Sequence, residues 1–317
     1  MIEPLPAFVL PAKGDGMENF MKKISPILLR CLSYILLICI AFTLFTYKGD
    51  SVETPIIAMP LVSGLKASAK TPVKKDYGVF LGLDASGLEK IARYKTVVID
   101  AQYFTKKDIM YLKKQGCTVY SYLNVGSVEK FRRYYDKYSK LAIGDYEHWE
   151  NERWMDVSKT EWQKFLESLE RKLIKKGIDG FFVDNCDVYY NYPKKRIFNG
   201  LTKILKHLMT FDKPVIINGA DVYVMKYKSH HGKLSDIMTG VNQESVWSKI
   251  NFDTGIFSKQ KTKDRKYFQK YIETCDREGI TVYLLEYTQN RKLKNKIKKY
   301  CQKKHFYYYI SDSIELD

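Results

Sequence analysis

The sequence predicts an α/β protein whose main domain, residues 76–317, is a (β/α)8 TIM barrel, preceded by an N-terminal membrane anchor and a linker. Short apolar strands and amphipathic helices alternate along this domain, and the unit recurs about every 20 to 35 residues. About seven or eight such units fit a closed parallel barrel. An open doubly wound sheet is the alternative, but no glycine-rich phosphate loop follows the first strand.

The predicted strands are short apolar runs that end in polar residues, as strands buried on both faces of a parallel sheet do. They cover residues 77–83, 96–99, 117–123, 181–183, 214–217, 236–241, 281–285 and 306–310. The predicted helices carry apolar residues three and four positions apart, which gives each helix one face that packs on the sheet. They cover residues 86–94, 105–115, 160–176, 194–209, 264–278 and 292–303, and residues 129–156 form a less regular region.

The first 75 residues are predicted to lie outside the barrel. Residues 1–23 form a cytoplasmic or unstructured tail, and residues 24–47 form a signal anchor or a signal peptide, because a basic flank precedes the uncharged run Cys31 to Tyr47. No small-residue cleavage site follows this run directly, which favours an uncleaved anchor. Residues 48–75 have linker composition. The basic flank places the barrel outside the cytoplasm, tethered to the cell surface or secreted if the segment is cleaved.

The composition excludes several classes of protein. The net charge of +17 is spread over amphipathic helices and comes without a nucleic-acid-binding motif, so nucleic acid is not an expected partner. The cysteines of the barrel have no Cys-x-x-Cys spacing, which predicts neither a zinc site nor another cofactor. Cys275 and Cys301 are either a disulfide or two buried free thiols, and the sequence favours neither. A tethered monomer is the expected form.

The stretch from Gly177 to Tyr190 carries the strongest functional candidate, because its apolar strand Phe181 to Val183 leads directly to Asp184. Ligands of parallel α/β proteins bind at the carboxyl ends of the strands, so the acids and amides found there form the candidate site. These rim residues are Asp100, Asn124, Asp184, Asn185, Asp187, Asn218, Asp221, Asn242, Glu244 and Glu286. Such a rim is typical of glycoside hydrolysis by two carboxylates, or of a divalent metal site with oxygen ligands. No Ser, His and Asp set accompanies it.

Four segments in order along the predicted barrel resemble glycoside hydrolase family 114, which contains the endo-α-1,4-polygalactosaminidases. The first runs from Tyr122 to Glu129 with Arg132 after it, and the second from Trp149 to Asp156. The third is the KGxDGxxxDNxDxY stretch from Lys176 to Tyr189, and the fourth is Leu285 to Tyr287. The match covers essentially all of residues 76–317.

The resemblance implies a metal-independent barrel that cleaves internal α-1,4 bonds of a galactosamine-containing exopolysaccharide. It places the catalytic pair at Asp184, at the end of the fifth strand, and at Glu244, after the seventh. Retention of the anomeric configuration is expected of the family, which would make one carboxylate a nucleophile. The sequence does not tell which of the two is the acid. The implied substrate-binding residues, the aromatic ones as stacking platforms, are Asp100, Asn124, Asn185, Asp187, Tyr189, Asn218, Trp247, Glu286 and Tyr287.

Two other functions stay open at this point. A catalytically silent carbohydrate-binding surface protein on the same barrel would bind glycan without releasing products. A metal-assisted hydrolase would lose activity with a chelator and regain it with a divalent ion.

Overall fold

The computed structural model of the protein describes residues 74–147, 151–252 and 254–317. All of them belong to the second of two units into which the chain divides, Lys70–Asp317. The predicted tail, the predicted anchor or signal peptide and all but the last two residues of the predicted linker lie outside the described residues. Within the described part of the chain, no helix has the length and apolar character needed to cross a membrane.

Eight parallel strands form a nearly closed barrel in the order of the chain, which confirms the predicted (β/α)8 barrel. They are β1 (Lys75–Phe80), β2 (Tyr94–Ile99), β3 (Thr118–Asn124), β4 (Gly180–Asp184), β5 (Val215–Asn218), β6 (Gly240–Glu244), β7 (Thr281–Tyr287) and β8 (Tyr307–Ser311). Each strand pairs in parallel with the next. At the seam β8 lies next to β1, and the backbone N–H of Gly82 donates to the carbonyl of Leu316 over 3.4 Å.

Among the described residues, each of the seven connections between consecutive strands contains one main helix, and the connections after β3 and β4 each contain a further four-residue helix, Tyr135–Tyr138 and Val188–Asn191. The main helices are labelled α1 to α7. They are α1 (Leu88–Ile91), α2 (Lys106–Lys114), α3 (Thr160–Lys176), α4 (Lys195–Met209), α5 (Asp221–His231), α6 (Thr262–Arg277) and α7 (Arg291–Lys304). Local sequence fixes their ends: Thr105 and Asp108 form a capping box at the start of α2. Gly177 ends α3 with a φ of 101°, a left-handed conformation that favours glycine, and turns the chain into β4.

Two short sheets are inserted at the carboxyl ends of the barrel strands. After β3, the strands Ser127–Glu129, Ala142–Asp145 and Glu152–Met155 form an antiparallel sheet, which we call the β3 insertion sheet. After β6, Ser248–Asn251 pairs with Ile256–Lys259. Both insertions supply walls around the mouth of the barrel. For the first of them the sequence predicts only a less regular region, residues 129–156.

Three sequence predictions need correction. The strand predicted at 236–241 lies at Gly240–Glu244, because Leu234–Asp236 forms a 3-10 turn. Helix α5 was not predicted, since its apolar and polar residues do not separate onto two faces. Asp184 ends the fourth barrel strand and Glu244 the sixth, not the fifth and seventh as the family resemblance implied, because three barrel strands precede β4 and five precede β6.

The four cysteines of the barrel, Cys117, Cys186, Cys275 and Cys301, are buried free thiols. Of the two alternatives for Cys275 and Cys301, a disulfide or two buried free thiols, the structure shows free thiols. Burial raises the pKa of Cys275 to about 12, which makes it unreactive at neutral pH.

A buried carboxyl group lies in the helical layer, away from the mouth of the barrel. The side chain of Glu170 on α3 is 1% exposed, and its Oε2 lies 3.5 Å from Nε2 of His207 on α4. Neither atom makes a hydrogen bond within the described part of the chain. Burial, with a further contribution from Glu167, raises the pKa of Glu170 to about 8.

This raised pKa predicts a loss of stability with rising pH. The native state keeps a proton that the unfolded chain releases near its ordinary pKa of 4.5, so the free energy of unfolding falls between that pH and about 8. We expect Glu170→Gln to raise the free energy of unfolding at pH 8 by about 1–2 kcal/mol and to flatten its pH dependence. Urea unfolding at pH 5 and pH 8 measures both. Glu161→Gln, at an exposed position of α3, is the control, and an unchanged pH slope in Glu170→Gln would contradict the prediction.

Candidate active site

Three neighbouring strands deliver the central residues of the site. Asp184, Asn218 and Glu244 are the last residues of β4, β5 and β6, so parallel pairing brings them to the same edge of the barrel. Nδ2 of Asn218 donates to Oδ1 of Asp184 over 2.9 Å and to Oε1 of Glu244 over 2.7 Å. The two carboxylates thus share one amide group.

A chain of hydrogen bonds inside the barrel fixes the direction of this amide. Oδ1 of Asn218 accepts from Nδ2 of Asn242 over 2.6 Å, and Oδ1 of Asn242 accepts from the hydroxyl of Tyr77 over 3.1 Å. An amide nitrogen donates and an amide oxygen accepts. Because the oxygen of Asn218 accepts from Asn242, its nitrogen faces the two acids. The barrel interior therefore preorganises the carboxylate pair.

The two acids have different surroundings. Burial raises the pKa of Asp184, and hydrogen bonds from Asn218, the backbone of Asn185 and Tyr122 act against it. Burial and the neighbouring charge of Asp184 raise the pKa of Glu244. Its Oε2 accepts a hydrogen bond of 2.8 Å from the hydroxyl of Tyr287. Asp184 thus has one more donor that favours its charged form. A like charge raises the pKa of both acids, but it ranks directly after burial for Glu244, from Asp184, and last for Asp184, from Glu129.

A cleft of about 680 Å³ lies at this end of the barrel and includes both acids. Among the described residues, Arg132 is the only cationic side chain that lines it, whereas the carboxylates that line it are Asp100, Glu129, Glu152, Asp184, Asp187, Asp221, Glu244 and Glu315. The cleft is therefore acidic although the chain carries a net charge of +17. An acidic cleft attracts a cationic ligand.

Two further carboxyl groups of the cleft have raised pKa values. Burial raises the pKa of Asp187 to about 7, and the charges of Asp221 and Asp184 add to this. Burial also raises the pKa of Glu152 to about 7, with Glu129 and Asp184 adding and a hydrogen bond from Ser127 opposing. Perturbed carboxyl groups that cluster in a cleft are typical of a functional site.

Backbone strain coincides with the ends of the same strands. Asn185, Ala220 and Ser245 follow β4, β5 and β6 at or near their last residues and have φ angles of 64°, 60° and 55°. Non-glycine residues seldom adopt this left-handed conformation, and they do so mostly where the surrounding structure holds them for function.

The structure brings most of the sequence-predicted site residues together. The predicted residues that line the cleft are Asp100, Asn185, Asp187, Asn218, Asp221 and Tyr287, together with the pair Asp184 and Glu244. Asp100 is engaged by Arg132, whose Nη1 lies 2.5 Å from its Oδ2. Asn124 does not line the cleft but donates to Glu152 behind its wall over 3.1 Å.

Three predicted substrate-binding residues lie elsewhere. Tyr189 is buried, and its ring packs edge-on against the rings of Phe198 and Tyr223. Trp247 packs against Tyr300 and under the guanidinium of Arg265, outside the cleft.

Glu286 is also turned away from the cleft, because side chains alternate along β7 and Tyr287 takes the inward position. Its carboxylate accepts from the backbone N–H groups of Trp247 and Ser248 and from the Ser248 hydroxyl. It therefore anchors the segment that follows β6.

Several cleft residues do not lie at the ends of predicted strands, so the sequence does not predict them. Glu152, Tyr146 and Phe131 come from the β3 insertion sheet and its loops, where no regular pattern marks an inward-facing position. Tyr122 lies inside β3 rather than at its end. For Glu152 the available signal was its place in one of the segments that carry the family resemblance.

The described residues contain no group of three or more His, Cys, Asp or Glu side chains arranged to hold a metal ion. His148 and Trp149 lie outside the described residues.

A (β/α)8 barrel that holds two carboxylates at the ends of its fourth and sixth strands, in an acidic cleft, has the architecture of a glycoside hydrolase. The chain belongs to glycoside-hydrolase family GH114, whose family model matches residues 63–313, and it is a glycoside hydrolase. Both sequence predictions, the family and the class of enzyme, are confirmed.

Solved structures show the same barrel fold. The glycoside hydrolase domain of PelA from Pseudomonas aeruginosa aligns with a TM-score of 0.66 and 18% identity, over 76% of this chain and 96% of that domain. Ega3 of Aspergillus fumigatus, solved in complex with galactosamine, aligns with a TM-score of 0.60 and 17% identity, over 80% of this chain and 98% of that one. No curated protein sequence matches the chain.

Proposed function

We propose that this protein is an exported endo-glycosidase that cleaves internal α-1,4 bonds of a galactosamine-containing polysaccharide with retention of configuration. The carboxylate pair bridged by Asn218 carries the proposal. Oδ1 of Asp184 and Oε1 of Glu244 accept hydrogen bonds from the same nitrogen, so these two oxygens lie less than about 6 Å apart. This distance fits the carboxylate separation of about 5–5.5 Å in retaining enzymes better than the roughly 6.5–9.5 Å in inverting ones.

In this mechanism Asp184 is the nucleophile and Glu244 the acid and base. Glu244 protonates the glycosidic oxygen while Asp184 attacks the anomeric carbon, so the bond from that carbon to the leaving oxygen breaks and a glycosyl ester forms. Glu244, now ionised, takes a proton from the water that hydrolyses the ester. The larger number of donors around Asp184 and the like charge beside Glu244 support this assignment.

The acidity of the cleft supports the choice of substrate. A free galactosamine unit carries an ammonium group at neutral pH, and eight carboxylates against one arginine favour such a polymer. Galactosamine is also the sugar bound in the Ega3 structure. Asp100, Asn185, Asp187 and Tyr287 are the proposed contacts of the sugar units. The apolar segment within residues 24–47 supports export, and a monomer tethered to the outer side of the membrane is the proposed form.

The test is an oligosaccharide-release assay on a partly de-N-acetylated α-1,4-galactosamine polymer, with a chelator present. We expect the purified full-length protein to release short oligomers and the Asp184→Asn variant to release none. Activity that vanishes with the chelator and returns with a divalent ion would point to a metal-assisted hydrolase. Binding of the polymer without release by either protein would point to a carbohydrate-binding protein.

A further inference from the structure

The carboxylate of Glu152 enters the cleft from the β3 insertion sheet, not from the barrel. One of its oxygens, Oε1, accepts from Nδ2 of Asn124 over 3.1 Å and from Nδ2 of Asn185 over 3.0 Å. The hydroxyl of Ser127 is also bonded to Oε1. These contacts fix the side chain by one oxygen only.

The second oxygen, Oε2, has no hydrogen bond or ion pair with any described residue. Arg132 is the one cation that lines the described cleft, and Asp100 and Glu129 occupy its guanidinium group. A half-buried carboxylate without a cation is unfavourable, and its raised pKa reflects this cost. A cationic ligand group at Oε2 would remove the cost.

The position of Glu152 relative to Asp184 restricts which sugar can supply that group. Asn185, which bonds Glu152, is the residue directly after Asp184, and the charge of Asp184 acts on Glu152. Asn124, which also bonds Glu152, pairs with Asp184 across β3 and β4, so a sugar unit bound at Asp184 comes next to Glu152. Tyr122 and Tyr146 also line the cleft, and the charges of both Glu152 and Asp184 contribute to raising the pKa of each tyrosine.

We propose that Glu152 determines the acetylation specificity of the enzyme: its Oε2 pairs with the free ammonium group of the sugar unit bound beside Asp184. An N-acetylated unit is neutral and larger, so it leaves the carboxylate unpaired and is rejected. This inference rests on the proposed function, because it presupposes an amino sugar in the cleft. It adds the residue that distinguishes the free amine from its acetylated form.

The test compares two defined α-1,4-linked galactosamine oligomers, one with all amines free and one fully N-acetylated. For Glu152→Gln we expect kcat/KM on the free-amine oligomer to fall about 10- to 100-fold, because a charge-assisted contact is lost. Activity on the acetylated oligomer is expected to stay within about threefold, so the preference shrinks. Glu147→Gln, at an exposed carboxylate near Glu152 that does not line the cleft, is the matched control and keeps the wild-type preference.

An equal loss on both oligomers would overturn the inference, since Glu152 would then only support the fold or the chemistry. An unchanged preference would overturn it too. If Glu152→Gln does not fold, Glu152→Asp is used in its place. Its side chain is one methylene shorter, so the carboxylate lies farther from the ammonium group, and the same loss of preference is expected. If wild type cleaves neither oligomer, the proposed function fails. Calorimetric binding of the uncleaved free-amine oligomer then tests the role of Glu152 by itself. Equal affinities of wild type and Glu152→Gln for that oligomer would overturn the inference.

Discussion

Replacement of Asp184 by Asn is expected to lower kcat on an α-1,4-galactosamine polymer by on the order of 10³-fold or more, because the covalent route is lost. KM should change far less, since the amide keeps the size of the side chain and can still contact Asn218. A parallel measurement of thermal unfolding separates loss of chemistry from loss of fold. A variant with native stability and activity within tenfold of wild type would remove Asp184 from the nucleophile position.

Glu244→Gln is expected to lower kcat by about 10²–10⁴-fold, the usual contribution of a general acid and base. The alkaline limb of the kcat/KM profile should disappear with it, because that limb reports the proton on Glu244, whose pKa is raised by burial and by Asp184. Wild type keeps the limb and serves as the control.

Azide separates the two roles. On an aryl α-galactosaminide, whose phenolate leaves without protonation, Glu244→Ala still forms the glycosyl ester on Asp184, so azide should yield an α-glycosyl azide with net retention. In Asp184→Ala azide takes the place of the nucleophile and should yield the β-glycosyl azide. Proton NMR of the products distinguishes the two anomers. The opposite pairing of variant and anomer would exchange the roles of Asp184 and Glu244.

The fold was predictable because each barrel strand is an apolar run with a polar end and each long helix but α5 has an apolar stripe. The same rule located Asp184, Asn218 and Glu244, since the last residue of a buried parallel strand must emerge at the rim. The buried face of helix α5 carries Tyr223, Val224 and Tyr227, two of them amphipathic tyrosines, whereas the apolar Met225 is exposed, so apolar residues do not mark the buried face. A periodicity argument therefore has no signal there.

The direction of side chains within the site does not follow from the sequence pattern. The sequence places Glu286 and Tyr287 at the end of the same strand, but alternation along β7 decides which one faces the cleft, and that depends on register. Trp247 follows β6 by only a few residues, yet the loop turns its ring towards α6 and α7. Glu152 reaches the site from an insertion, and its side chain bonds Asn124 and Asn185, which are distant in the sequence, so local pattern does not reveal it.

Arg132→Met is expected to lower the free energy of unfolding at pH 7 by about 3–5 kcal/mol. The guanidinium bonds Asp100 through Nη1 over 2.5 Å and Glu129 through Nε and Nη2 over 3.2 and 2.9 Å. The three side chains are only 4%, 4% and 8% exposed, so Met leaves two buried carboxylates without a counter-charge. Urea unfolding at pH 7 measures the loss.

Two companion variants test this cause. The triple variant Asp100→Asn, Glu129→Gln and Arg132→Met removes all three charges at similar volume and should recover most of the lost stability, because no unpaired charge stays buried. Arg153→Met breaks the exposed pair with Asp145 and should cost less than about 1 kcal/mol. If Arg132→Met cost no more than Arg153→Met, or if the triple variant were as unstable as the single one, unpaired charge could not be the reason. The loss would then come from the packing of the Arg132 side chain against the Phe131 and Tyr103 rings.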